Sequence, residues 1–104
     1  MNAPVAPSPE QIMKASLSLM LNHYIWAVKP RSTHDQRLIA ILACGSVVTL
    51  CMAWEARQLI GHDHRLEIEA LARDMCCTLT GLKKASTFTK VSVERLDWLR
   101  GFLK

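Results

Sequence analysis

The chain has 104 residues, half of them hydrophobic, and a net charge of +4 at pH 7. This length fits one domain with a single modest core, and the apolar content excludes a disordered chain. The segment Met1–Pro9 holds three of the four prolines and no basic stretch followed by an apolar run, so we expect no secretory signal and a cytoplasmic location. We predict an extended arm over residues 1–8 and a single helical domain over 9–104.

The first predicted helix covers residues 9–28. Ser8 is in place as its N-cap, with Pro9 at the first helical position and Gln11 three residues after the cap. Pro30 ends the helix, because the residue before a proline avoids helical backbone angles. Its predicted apolar face consists of Ile12, Met13, Leu17, Met20, Leu21, Tyr24 and Val28.

The second predicted helix covers residues 33–60, with a cap in Ser32–Asp35 and a stop at Gly61. A straight helix of this length would be about 42 Å long. A compact domain of this size is only about 33–35 Å across. The helix must therefore kink, protrude or lie along a second subunit, and the pair Gly45-Ser46 is the expected site of a kink.

Two shorter helices complete the prediction. The third covers residues 64–80, ends at Gly81 and has Ile68, Leu71, Ala72, Met75 and Leu79 on its apolar face. Ser92 caps the last one, after a polar segment that we predict to be a loop. The sequence therefore predicts an all-α fold, a small bundle of about four helices with a long, apolar central helix for which a kink is one of the three alternatives.

The stretch Leu38–Trp54 has seventeen residues without a charge. A membrane-spanning helix usually needs about 20 apolar residues, so this stretch is at the lower limit. The neighbouring helices are amphipathic and need an apolar partner to cover their faces, and the second helix is apolar enough all round to be that partner. We therefore favour a core helix. A single-span membrane protein ranks third among the functional hypotheses, after a protein-binding module and a DNA-binding regulator.

The cysteines and histidines give no specific catalytic or metal motif. Cys44 and Cys51 are about 10 Å apart along one helix, too far for a disulfide, and we expect free thiols. A zinc site built from His64 and Cys76 would need ligands about 18 Å apart along the third helix. No cysteine is paired with a histidine by its spacing. We predict no enzymatic activity, no metal and no cofactor.

The whole net charge lies at the C-terminal end. Residues 83–104 contain six Lys or Arg against two Asp or Glu, whereas residues 1–82 are balanced. Hydroxyl side chains interleave with these cations, as in segments that bind a phosphate backbone. The candidate nucleic-acid contacts are Lys83, Lys84, Lys90, Arg95 and Arg100.

The segment Glu69–Ala85 is similar in outline to a helix-turn-helix of the phage-repressor kind. Leu71-Ala72 would lie in the first helix, Thr78 would cap the second and Leu82 would anchor it. Cys76 stands where that family usually has a turn glycine. The resemblance implies the alternative function, a DNA-binding transcriptional regulator that uses residues 78–104.

A second apolar stripe on each of the first two helices predicts a partner surface. A domain of four helices can cover one face of each helix, but covering two faces is harder. Large apolar side chains would therefore remain exposed. We place Ile39, Ala43, Leu50 and Trp54 opposite a core stripe of Leu38, Ile41, Leu42, Val48 and Met52. The predicted interface is Leu19, Trp26, Ile39, Leu50 and Trp54. The leading hypothesis is a protein-binding module, an adaptor, regulator or inhibitor of a larger complex, that self-associates through helices 9–28 and 33–60.

Overall fold

The computed structural model describes residues 5–81 and 91–104, and these ranges form four α-helices and no strand. The prediction of an all-α bundle with a long apolar central helix is confirmed. The helices are α1 (Pro9–Ala27), α2 (His34–Ala56), α3 (His62–Thr80) and α4 (Val93–Phe102).

α1, α2 and α4 each begin after a residue whose side chain binds a free backbone amide of the first turn, whereas α3 begins after Gly61 without such a bond. Ser8 Oγ accepts a hydrogen bond from the amide of Gln11, whose side chain accepts one from the amide of Ser8 in return. Thr33 and Gln36 form the same reciprocal pair at the start of α2. Because these contacts are local, the starts of α1 and α2 fall where the sequence predicts them.

α2 ends earlier than predicted, at Ala56 instead of residue 60. Gln58 adopts a left-handed backbone angle, with φ 61°. The amide of Leu59 donates to the carbonyl of Trp54 and that of Gln58 to the carbonyl of Glu55, both at 2.9 Å. This pair of bonds is a Schellman motif, which stops a helix without requiring Gly61.

The shorter α2 has 23 residues and is about 34 Å long. It runs unbroken through Gly45-Ser46, the predicted kink site. The molecule measures 53 × 34 × 22 Å, so its longest dimension accommodates the helix without a break. Its smallest dimension is about two helix diameters.

α2 is the central element, since it packs against both α1 and α3, which meet each other at only a few positions. Short connections make successive helices antiparallel. The buried core collects side chains from all four helices, among them Met13, Leu17, Met20, Tyr24, Cys44, Val47, Ile68, Leu71, Met75 and Leu99.

α4 lies antiparallel along α3. In the C-terminal half of α3, Asp74 forms an ion pair with Arg95, whose Nη1 lies 2.6 Å from Asp74 Oδ2. Near its N-terminal end, the ring of His64 meets Trp98 and Phe102 edge-on, at centroid distances of 6.0 and 5.3 Å. The sequence pattern gives no sign of this aromatic contact, because its members are more than thirty residues apart.

Candidate interaction surface

The inward face of α2 consists mainly of small side chains. Ala40, Cys44, Val47 and Cys51 are fully buried, and Trp54 follows them at the end of the helix with 7% of its surface exposed. These positions recur every three or four residues, so they form one stripe. Small side chains allow α1 and α3 to approach the α2 backbone closely, which explains why one helix can pack against both.

The outward face of α2 carries the large apolar side chains. Five of them are between 40% and 64% exposed: Leu38, Ile39, Leu42, Leu50 and Met52. The sequence prediction of a core stripe through Leu38, Leu42 and Met52 is therefore wrong. Since α2 is uncharged on every side from Leu38 to Trp54, its composition contains no periodic signal that distinguishes the inner face from the outer one.

α1 adds a second exposed apolar stripe. Ile12, Leu19 and Trp26 are seven residues apart and are 51%, 56% and 61% exposed. The prediction that Ile12 shares the apolar face of Met13 is therefore wrong. Residues seven apart lie on one side of a helix, and the buried residues of α1 lie on the other. Lys29 Nζ lies 4.9 Å from the ring centroid of Trp26, a cation–π contact at the end of the stripe.

Four of the five predicted interface residues are exposed, as an interface requires: Leu19, Trp26, Ile39 and Leu50. Trp54 is a correction, because it is a core residue. It lies three residues after Cys51 and so continues the inward stripe. Its backbone carbonyl also accepts the Schellman bond from Leu59, so this residue belongs to the end of the helix and not to a partner surface.

A shallow, open groove runs over the middle of the outward face of α2. Its volume is about 620 Å³, and its lining consists of Ile41, Leu42, Gly45, Ser46, Thr49, Leu50 and Cys76. The two hydroxyl groups in it are already satisfied, because Ser46 Oγ donates to the carbonyl of Leu42 and Thr49 Oγ1 to that of Gly45, each at 2.9 Å. If a partner covered this groove, both hydroxyl protons would therefore keep their acceptors.

A charged network holds the junction of α2 and α3. Arg65 donates to Glu55 on one side and to Glu69 on the other, and Glu69 also accepts from Arg73 at 2.9 Å. Hydrogen bonds from Arg65 and His62 lower the pKa of Glu55, and those from Arg73 and Arg65 lower the pKa of Glu69. These carboxylates are therefore held in their ionised form, and they position α3 against α2.

The cysteines are free thiols in different environments. Cys44 and Cys51 are buried, Cys76 is half-buried and Cys77 is exposed. Burial, with the neighbouring Cys76 as a smaller cause, raises the pKa of Cys44 to about 12, so this thiol is unreactive at neutral pH.

The two histidines in the first turn of α3, His62 and His64, are held by contacts within the chain. His62 Nδ1 lies 3.1 Å from Glu55 Oε2, and the ring of His64 faces the aromatic side chains of α4. Within residues 5–81 and 91–104, no three His, Cys, Asp or Glu side chains are grouped so that they could hold a metal ion.

The basic segment is described only in part. Lys83, Lys84 and Lys90 lie outside the described residues. Arg95 is paired with Asp74, and Arg100 Nη1 lies 2.8 Å from Asp97 Oδ1. Both described arginines are thus partly neutralised by carboxylates of the chain itself, which reduces the local positive potential available to a phosphate backbone.

The helix-turn-helix outline fails at its turn. α3 continues without interruption through Cys76 to Thr80, so there is no turn at Cys76. Thr78, predicted to cap a second helix, is a buried residue inside α3. The resemblance does not extend to the backbone.

α2 is long and apolar enough to cross a membrane, with a mean hydropathy of 1.9 over an 18-residue window of which 28% is buried; no other helix of the described ranges meets this criterion. Comparison with protein-family models, curated proteins and solved structures finds no match to this chain.

Proposed function

We propose that this chain is a non-enzymatic helical binding module of the cytoplasm that associates with a second copy of itself through α1 and α2. In this role it acts as an adaptor, regulator or inhibitor within a larger complex. The observation that carries the proposal is the exposure of large apolar side chains along both helices, from Ile12 on α1 to Met52 on α2. Such surfaces are uncommon on isolated monomers and typical of interfaces.

The composition of this surface fits a protein partner. Trp26 is the largest of its exposed side chains, and tryptophan is the residue type most enriched at the centres of binding interfaces. The outward face of α2 carries no charge between Leu38 and Trp54, and charged residues are depleted at the centres of interfaces.

Insertion of α2 into a bilayer fits the fold less well. α3 packs along α2 and carries Arg65, Glu69, Arg73 and Asp74. If α2 crossed the membrane with this packing intact, these charges would lie at bilayer depth, at a cost of roughly 2.5–3.5 kcal/mol for each Arg or Asp near the centre of the membrane. A polypeptide partner covers the outward face of α2 without moving α3.

Sedimentation equilibrium in detergent-free buffer, from about 1 to 100 μM, tests the proposal. The wild-type chain is expected to sediment as a dimer at the higher concentrations. Leu42→Glu is expected to shift it to the monomer, because the new carboxylate would lose its water on association.

Leu66→Glu is the matched control. Leu66 is 46% exposed but lies in the second turn of α3, outside the proposed interface, and its replacement should leave the dimer unchanged. A wild-type chain that is monomeric at 100 μM, or a Leu66→Glu variant that dissociates like Leu42→Glu, would overturn the proposal.

A further inference from the structure

We infer that α2 pairs with α2 of a second copy in antiparallel orientation, across a two-fold axis beside Ser46. This inference rests on the self-association proposed above and adds its geometry. It starts from seven exposed residues at helical spacing, six on the outward side of α2 and the last at its C-cap: Asp35, Ile39, Leu42, Ser46, Leu50, Ala53 and Arg57.

The spacing of these residues is the same in both directions from Ser46. Going towards either end of the helix, the steps are four, three and four residues. Steps of three and four keep residues on one side of a helix. A two-fold axis at Ser46 therefore superimposes the whole stripe on that of the partner copy, as the self-complementary interface of a symmetric dimer requires.

Next to Ser46 on either side, the side chains that this axis brings together are all apolar, two leucines in one pair and a large with a small side chain in the next. Leu42 would meet Leu50 of the second copy, on each side of the axis. Ile39 would meet the methyl group of Ala53. At the axis itself, the small side chain of Ser46 lets the two helices approach, and its hydroxyl keeps its bond to the carbonyl of Leu42. Ser46 lines the open groove on this face, in which the partner helix would lie.

The ends of the stripe match in charge. The same axis places Asp35 opposite Arg57 of the second copy, twice in the dimer. Neither side chain has an ion-pair partner within the described ranges of its own chain. A parallel arrangement would place Asp35 beside Asp35 and Arg57 beside Arg57. Repulsion between these like charges selects the antiparallel orientation.

Cysteine cross-linking tests this geometry on the full chain. The background is Cys76→Ser with Cys77→Ser, which removes the two thiols that are not fully buried. In it, Ser46→Cys is expected to form a covalent dimer on oxidation, because the two new thiols face each other at the axis. Ala53→Cys alone should not cross-link, since the two copies of residue 53 would be about 21 Å apart along the helices.

Mixing Ala53→Cys with Ile39→Cys, each in the same background, should restore cross-linking, since these positions meet across the interface. A parallel pair would instead cross-link Ala53→Cys with itself, and this would overturn the inference. If no variant cross-links while sedimentation shows a dimer, the antiparallel α2 pair is wrong and the proposed self-association stands. If sedimentation shows only the monomer, both are wrong.

Charge reversal gives an independent test of the register. Asp35→Arg and Arg57→Asp should each raise the dimer dissociation constant by roughly tenfold, because each places two like-charge pairs at the interface. The double variant restores opposite charges and should return the constant to within about threefold of wild type. A double variant that dissociates more readily than either single variant would contradict the pairing.

Discussion

The guanidinium of Arg65 donates a 2.7 Å hydrogen bond from Nε to Glu55 Oε1, and this contact joins the last turn of α2 to the first turns of α3. The two residues are ten positions apart and meet because the Schellman motif at Gln58 reverses the chain between them. Glu69 binds the other side of the same guanidinium. The junction thus depends on two carboxylates remaining ionised.

Acid should weaken the fold through these carboxylates. The folded state lowers the pKa of both Glu55 and Glu69, so their contribution is fully present above the unfolded value of about 4.3 and is lost as pH falls through the lower folded values. In urea unfolding measured between pH 7 and pH 3, we expect the free energy of unfolding to decrease once the pH is lowered past about 4.5.

Arg65→Met should reduce that dependence on pH, because it removes a hydrogen-bond donor from both carboxylates. Arg31→Met is the control, since Arg31 is an exposed residue in the turn between α1 and α2. An equal pH dependence for Arg65→Met and wild type would contradict the assigned role of the network.

The two tryptophans Trp26 and Trp54 should respond differently to replacement by alanine. Trp54 is buried, so Trp54→Ala should lower the free energy of unfolding by about 3–5 kcal/mol. Trp26→Ala changes an exposed residue and should leave the stability of the monomer within about 0.5 kcal/mol, while it weakens the dimer. Urea unfolding at low protein concentration and sedimentation measure the two effects. A large loss of monomer stability in Trp26→Ala would contradict the placement of its side chain.

Gln58→Gly should stabilise the end of α2. The left-handed backbone angle of Gln58 destabilises a residue with a side chain by roughly 1–2 kcal/mol. Glycine avoids this strain but loses more chain entropy on folding, which costs about 0.5–1 kcal/mol. We expect a net gain of about 0.5 kcal/mol in urea unfolding. Ala56→Gly, two residues earlier at the last residue of the helix, should instead lose up to about 1 kcal/mol. A gain from both changes would show that the backbone angle at Gln58 is not the cause.

The four thiols should react with a thiol reagent in order of exposure. Cys77 should be modified first at pH 8, and Cys76 more slowly. With its pKa raised to about 12, only about one Cys44 side chain in ten thousand is a thiolate at that pH, and burial also keeps the reagent away. Cys77→Ser should remove the fast phase, and denaturant should make all remaining thiols reactive. Rapid modification of Cys44 in the folded chain would show that the inward face of α2 opens.

The starts of α1 and α2 were predictable because the responsible contacts are local, whereas α3 begins at His62 instead of residue 64 and has no side-chain cap. Ser8 and Thr33 each bind an amide three residues later, and a sequence pattern contains that information. The end of α2 was not predictable in the same way. Gln58 adopts an angle more usual for glycine, and no local residue preference points to it.

The inner and outer faces of α2 could not be assigned from the sequence, for a different reason. Periodicity distinguishes faces only when apolar and polar residues alternate, and α2 is apolar on all sides. Size decides instead: Ala40 and Cys44 lie inside because two other helices must come close, and Leu42 and Met52 remain outside. Leu19, Trp26, Ile39 and Leu50 were placed correctly on the exposed side, whereas Trp54, near the end of the same helix, was not.

The molecule is only 22 Å thick, so α2 has one side in the core and the other side at the surface along its whole length. The side chains that stabilise the fold and those that we propose for association are therefore separate sets on one helix. Replacing the exposed apolar side chains of α2 by hydrophilic ones should give a monomer that keeps the native fold. Larger side chains at Ala40 or Cys44 would instead push α1 and α3 away from α2.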